Sequence, residues 1–212
     1  VFFIVVLPAF MYLIFGSLAS WGGYELPNGR GNVSASIMLS MAAYGAITAT
    51  TSLSGAAAVE LQQGWARQLA LTPFSRLGYV LAKVVVAVTM AVLPVVVVLI
   101  VGALTTARMD GWIWLASGAL TLLASTVFAL YGLAFGLTFR SESAVGAATG
   151  GLVIFMFLGN AFAPLSGFLL DLAPFTPAWG VMQLAQWPLT TGMSTDSDGN
   201  LMQYGLWQPV LN

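Results

Sequence analysis

Six basic and seven acidic side chains are all the charge this 212-residue chain carries, and the gaps between them constrain its fold most. The intervals 31–59, 84–107, 111–139 and 143–170 contain no Asp, Glu, Lys or Arg. A helix crosses the hydrocarbon of a bilayer with about 20 apolar residues, so each gap is long enough for one crossing. Hydrophobic residues reach 59% and charged ones 6%, where soluble domains carry about 25% charge. No soluble fold of this size could bury that apolar excess. The chain reads as an integral membrane protein.

Five spans are predicted: Val1–Gly16, Ser34–Val59, Val84–Leu104, Trp112–Leu137 and Ala144–Phe162. Barrel strands alternate polarity over about ten residues; these runs are longer. The expected fold class is therefore all-α, a helical bundle of about five spans forming a single transmembrane domain over 1–212. The first segment has neither the charged start nor the small-residue cleavage site of a signal peptide. It reads as a span whose beginning is missing.

Alternating crossings place Arg67, Arg76, Lys83 and Arg140 on one side and Arg30 and Arg108 on the other. Positive charge favours the cytoplasmic side, so the 60–83 connection is expected to face inward. After the fifth span the pattern breaks. Pro164, Pro174, Pro177 and Pro188 interrupt an apolar stretch over about 160–192 that also holds Asp171. It reads as short re-entrant helices on the exterior side, with Trp179 and Trp187 at the membrane interface. Ser194–Gln203 reads as a plain exterior loop.

Several function classes are excluded. There is no Cys and no His, which removes disulfides, Cys-ligated metal and the commonest general base. No metal site and no catalytic constellation is expected. The charge is too sparse to neutralise nucleic-acid phosphates. No charged residue falls mid-span, where ion-coupled carriers place them. Uphill movement would need energy from another polypeptide.

Span two carries a polar stripe: Ser36, Ser40, Tyr44, Thr48, Thr51 and Ser54 share about a third of the helix circumference. Such a stripe lines a pathway, with Ser40, Tyr44, Thr48 and Thr51 as the candidates, or packs helices together. The pairs Gly132/Gly136 and Gly146/Gly150 permit close helix approach, with packing inside one subunit favoured over a dimer seam. Pro94 bends the third span. The sequon Asn32-Val33-Ser34 reads as chance.

The stretch "ELQQGWARQLALTPFSRLGYVLAK" (60–83) holds half of the basic residues. Leu61, Trp65 and Leu69 recur every four residues as one apolar ridge, with Gln62, Gln63 and Arg67 off it. That predicts a short amphipathic helix at the inner membrane surface. Thr72 precedes Pro73, so it ends that helix and caps a second one with Pro73 at its first position. The second helix runs through Arg76 and Lys83 into span three. Positive-inside topology alone would explain the charge, but not the ridge and the break.

The same stretch resembles the cytoplasmic loop of the ABC type-2 exporter permeases, at Glu60, Gly64, Leu69, Leu71, Thr72, Pro73, Ser75, Arg76, Tyr79 and Lys83. "LYGLAFGLTFRSESAVGAATG" (130–150) is similar to that family's passage between spans four and five. The proline-rich segment is similar to its exterior re-entrant helices. The resemblance implies six spans preceded by an amphipathic helix. That helix, part of span one and all of span six are then expected to be absent from this sequence. It also implies two permease subunits, identical or related, in membrane lipid with two ATP-binding cassette subunits. The loop docks on the ATPase, so Glu60, Leu61, Gly64, Trp65, Arg67, Leu69, Thr72, Pro73, Arg76 and Lys83 are the expected coupling residues. ATP and Mg are expected in that partner, with no cofactor held by this chain. The implied function is export of a hydrophobic or amphipathic compound across a bacterial cytoplasmic membrane. The alternatives are a glycan exporter and a non-transporting membrane scaffold.

Overall fold

All five apolar stretches become helix. The computed structural model describes residues 2–73, 75–139, 142–162, 165–195 and 201–211, except the side chains of Phe2, Leu61, Ala66, Leu69, Ala70, Arg76, Glu142 and Ala144. Helix α1 (Phe2–Tyr12) passes into a turn of π-helix at Leu13–Ser17. Helix α2 (Val33–Gly55) is prolonged by α3 (Ala57–Gln62), and α4 (Trp65–Ala70) follows. Then come α5 (Arg76–Ala103), α6 (Gly111–Ala124), α7 (Thr126–Phe139) and α8 (Glu142–Leu158). Three runs, 33–60, 77–103 and 111–139, are long and apolar enough to cross a membrane, while Phe3–Ser17 and Val145–Leu158 are apolar but shorter.

The fourth stretch was expected as one helix and is two, end to end. Ser125 separates α6 from α7, and its Oγ donates to the Leu122 carbonyl at 2.8 Å. Thr121 Oγ1 donates to the Ser117 carbonyl at 2.7 Å. Hydroxyls that bond backward to the preceding turn satisfy themselves in an apolar medium and bend the helix.

Helix α2 is the centre of the bundle, with α1, α5, α7 and α10 (Pro177–Thr190) around it. It can be central because it is small-sided. A Cβ on Gly45 would lie 3.0 Å from Pro94 of α5 and 3.3 Å from Pro8 of α1, so three helices cross at that glycine. Further along α2, α7 meets it backbone to backbone. A Cβ on Gly132 would lie 2.8 Å from the Thr51 Cα, and one on Gly136 2.6 Å from the Gly55 carbonyl oxygen. With no hydrophobic drive between helices in lipid, such close approach is what binds them. The first glycine pair thus packs inside the subunit. The second does not: among the described residues nothing lies within 4 Å of a Cβ on Gly146 or Gly150.

The crossings alternate as expected. The 18–32 and 104–110 connections meet at one end through the Gly31–Met109 bridge and the Asp110 N–H to Arg30 carbonyl bond of 3.2 Å. The opposite end gathers α3, the start of α5, the end of α7 and the start of α8. Arg140 and Pro164 lie outside the described residues.

The proline-rich segment folds as α9 (Gly167–Leu172), a 3-10 turn at Ala173–Phe175, and α10. Thr176 caps α10, with Pro177 at its first position. Ala178, Val181 and Met182 pack near Ile47, 15 residues or roughly 22 Å along α2 from Asn32. At the other end of α10 the Leu189 and Pro188 carbonyls accept from Asn28 Nδ2 and Arg30 Nη1. The helix therefore runs from the interior of the bundle to its Arg30 end. Trp179 was expected at the interface and is instead fully buried, its ring edge-on to Tyr204 at 5.0 Å. The bundle packs around the whole of α10, so its aromatic face meets protein. The plain loop expected after it is a hairpin at its ends, where Met193–Thr195 (β1) pairs antiparallel with Leu201–Gln203 (β2). Helix α11 (Trp207–Leu211) then packs back on α10.

Candidate functional site

The 60–83 stretch forms one end of the bundle, and its local chemistry explains its shape. Gly64 adopts φ +83°, a left-handed conformation that glycine reaches without the Cβ penalty. The predicted amphipathic helix is therefore broken there into α3 and α4. Leu61 and Trp65 fall on different helices, so Leu61, Trp65 and Leu69 do not form one continuous helical ridge. The side chains of Leu61 and Leu69 lie outside the described residues. Trp65 is 51% exposed and Leu71 90% exposed, so apolar surface is presented outward from this loop. Arg67 is exposed beside them.

The cap of the following helix also differs from the expected Thr72. Helix α5 starts at Arg76, and its N-cap is Ser75, whose Oγ accepts from the Gly78 N–H at 3.0 Å. Thr72 and Pro73 lie in the preceding turn. Both Thr and Ser suit an N-cap. The chain must first reverse from α4 into α5, and the turn at 71–73 consumes the residues that proline's preference would have put in the helix. The Arg76 side chain is outside the described set.

The two roots of the loop are tied together. The Lys83 ammonium pairs with the Glu60 carboxylate, and Tyr79 Oη donates to Glu60 Oε2 at 3.1 Å. Lys83 Nζ also lies 5.7 Å from the centre of the Tyr79 ring. Tyr79 and Lys83 are four residues apart, so they share one face of α5. Four expected coupling positions thus have visible local roles: Gly64 breaks the helix, Trp65 presents apolar surface, and Glu60 and Lys83 brace the loop.

The polar stripe divides into three parts. Ser40 Oγ accepts from Gln186 Nε2 at 2.7 Å, and Ser36 Oγ donates to Gln186 Oε1 at 3.2 Å, so its outer part is covered by α10. Thr51 Oγ1 donates to the Phe128 carbonyl at 3.3 Å, and Ser54 Oγ bonds back to the Thr50 carbonyl, so its inner part is covered by α7. Between them Tyr44 and Thr48 are half-buried, with the Tyr44 ring edge-on to Phe162 at 5.5 Å. Thr48 Oγ1 is buried and has no hydrogen-bond partner among the described residues.

The opposite end holds features that the sequence reading missed. Asn32 caps α2 by accepting from the Ala35 N–H at 3.0 Å. Its Oδ1 also accepts from the Arg108 N–H at 3.0 Å, and its Nδ2 donates to the Thr106 carbonyl at 2.7 Å. It is 4% exposed, so the sequon is spent on holding the α5–α6 connection against α2. The signal was available, since Asn before an apolar run is a helix start. Tyr12, Ser34, Thr105 and Thr106 form a hydroxyl chain beside it, with Tyr12 Oη 3.0 Å from Ser34 Oγ and 2.8 Å from Thr105 Oγ1.

Comparison with known proteins gives one positive finding. The model of the ABC-2 type transporter family matches residues 2–179, from α1 through the start of α10. No curated protein and no solved structure matches the chain. The matched residues contain α1 to α9 and the 60–83 loop. Family and architecture agree on a multi-pass membrane component, and the family implies association with an ATP-binding cassette subunit. The chain belongs to the ABC-2 type transporter family, as the membrane permease part of an ATP-binding cassette transporter.

Proposed function

We propose that this permease exports a hydrophobic or amphipathic compound, such as a drug, an antibiotic or a lipid-like molecule, and that its 60–83 loop is the docking surface for the ATP-binding subunit. The observation that carries the docking reading is the pairing of exposure with bracing. Trp65 and Leu71 are presented outward, while Glu60, Tyr79 and Lys83 fasten the loop to the ends of two spans. A partner pressing on such a loop moves α2 and α5 together rather than bending a slack connection. Arg67 supplies charge beside the apolar contact, and Gly64, Thr72, Pro73 and Ser75 set its shape.

The loop end faces the cytoplasm of a bacterial cell in this reading, because it carries the larger share of basic residues. ATP and Mg are bound and hydrolysed by the partner, and a second permease subunit, a copy or a related chain, completes the transporter. Tyr44 and Thr48 are the stripe residues best placed to meet cargo. The hydroxyls of Ser36, Ser40, Thr51 and Ser54 are hydrogen-bonded inside the subunit, whereas the Tyr44 ring makes only an edge contact, with Phe162, and the Thr48 hydroxyl has no partner among the described residues. A low density of charge along the spans suits an apolar cargo and disfavours a glycan.

The test is reconstitution with the cognate ATPase in inside-out vesicles, followed by addition of ATP and an amphipathic fluorescent dye. Export predicts ATP-dependent dye accumulation, lost in Trp65→Ala/Arg67→Glu. Import would instead show ATP-dependent dye depletion from preloaded inside-out vesicles. A scaffold would show no movement in either direction.

A further inference from the structure

The bundle end opposite the 60–83 loop contains an open cleft of about 480 Å³ between the 23–32 and 105–110 connections, within the roughly 300–1,000 Å³ of small-ligand sites. Four of the chain's thirteen charges line it: Glu25, Arg30, Arg108 and Asp110. They are not spent on one another, since the ion pair among the described residues is Lys83–Glu60. Arg30 is held in place, its Nη1 donating to the Pro188 carbonyl at 3.3 Å and its guanidinium 6.0 Å from the Trp112 ring. Arg108, Glu25 and Asp110 are exposed.

We propose that this cleft binds the headgroup of a phosphoethanolamine lipid. Two cations and two anions in one cleft match a zwitterion. The phosphate takes charge-assisted hydrogen bonds from Arg30 and Arg108, and the ammonium gives them to Glu25 and Asp110. A purely anionic headgroup would gain the arginines but meet two carboxylates. A quaternary ammonium wants aromatic faces; among the described residues no aromatic side chain lines the cleft, and the Trp112 ring beside it already faces the Arg30 guanidinium. The surroundings point to a lipid rather than a soluble zwitterion. Trp21 and Tyr24, next in sequence to the lining stretch that starts at Gly23, and Trp112, beside Arg30, are exposed, as aromatic residues are at a membrane boundary. Leu104 and Ile100, exposed at 79% and 52%, continue from it along α5 as an apolar track for acyl chains. The proposal rests on the membrane placement of the chain, not on the direction or cargo of transport.

Native mass spectrometry of the full chain, released from nanodiscs and titrated with defined lipids, tests it. Phosphatidylethanolamine is expected to be retained in preference to phosphatidylcholine and phosphatidylglycerol. Arg108→Gln is expected to weaken that retention roughly tenfold. Glu25→Gln/Asp110→Asn is expected to reverse the preference toward phosphatidylglycerol, and it carries the test independently of the arginine variant. The substituted side chains lie on the exposed rim, so the melting temperature in lipid-free detergent is expected to stay unchanged. Equal retention of the three lipids, or unaltered selectivity in both variants, would overturn the proposal. Binding of free phosphoethanolamine as tightly as the lipid would overturn it too, leaving a site for a soluble zwitterion.

Discussion

Single glycines decide how closely these helices meet. A methyl group at Gly136 would fall against backbone, 2.6 Å from the Gly55 carbonyl oxygen and 3.1 Å from the Ala58 nitrogen. Backbone cannot rotate aside, so Gly136→Ala is expected to push α7 off α2 and cost about 1–3 kcal/mol. Gly146→Ala meets open space and is expected to be neutral or stabilising by up to about 1 kcal/mol, because alanine favours helix. Thermal unfolding of the two variants in the same detergent separates them. The two GxxxG pairs are indistinguishable in sequence. What differs is the neighbour each pair faces, which spacing does not encode. Gly64 is a different case: its φ of +83° predicts that Gly64→Ala costs about 1–2 kcal/mol without any clash. Faster amide exchange across 57–70 would register that loss. The glycine was picked out from the sequence, but its role as a break was not, because the ridge at 61, 65 and 69 suggested an unbroken helix.

Helix ends were harder to read than helix existence. The Thr72-Pro73 step marks a true boundary, yet the capping residue is three positions later. Ser75→Ala is expected to cost about 1 kcal/mol, with Ser75→Asp restoring most of it; amide exchange in the first turn of α5 reads the difference. The ion pair at the loop roots was invisible as a contact, since Glu60 and Lys83 are 23 residues apart and meet only because α2 and α5 pack side by side. A double-mutant cycle with Glu60→Gln and Lys83→Met is expected to give a coupling of about 1 kcal/mol, as the pair is partly solvent-accessible. Trp179 was misplaced for a related reason. Interface preference is a property of aromatic residues in general, whereas the burial of this one follows from α10 packing within the bundle.

At the scale of the whole molecule, charge spacing was enough to find the apolar helices and their alternation, because bilayer thickness sets both. It could not show which helix is central. Helix α2 holds that place through Gly45, Gly55 and its small hydroxyl residues, which lets α1, α5, α7 and α10 all approach it. In the proposed docking role, the same centrality would give the loop leverage, since α2, which α3 continues through Glu60, touches α1, α5, α6, α7, α8 and α10. If the loop is where the motor engages, its exposed face can be altered while the bundle stays intact. Trp65 and Arg67 are both exposed and outside the helical core, so Trp65→Ala/Arg67→Glu is expected to leave folding within about 0.5 kcal/mol of the parent. The decisive measurement is co-purification of the ATP-binding subunit with the parent chain and with this double variant, at matched expression and melting temperature. Docking at the loop predicts a stoichiometric ATPase with the parent and loss of at least about tenfold in the variant, as for removal of an interface anchor. An ATPase retained equally by both, or absent from both, would contradict it.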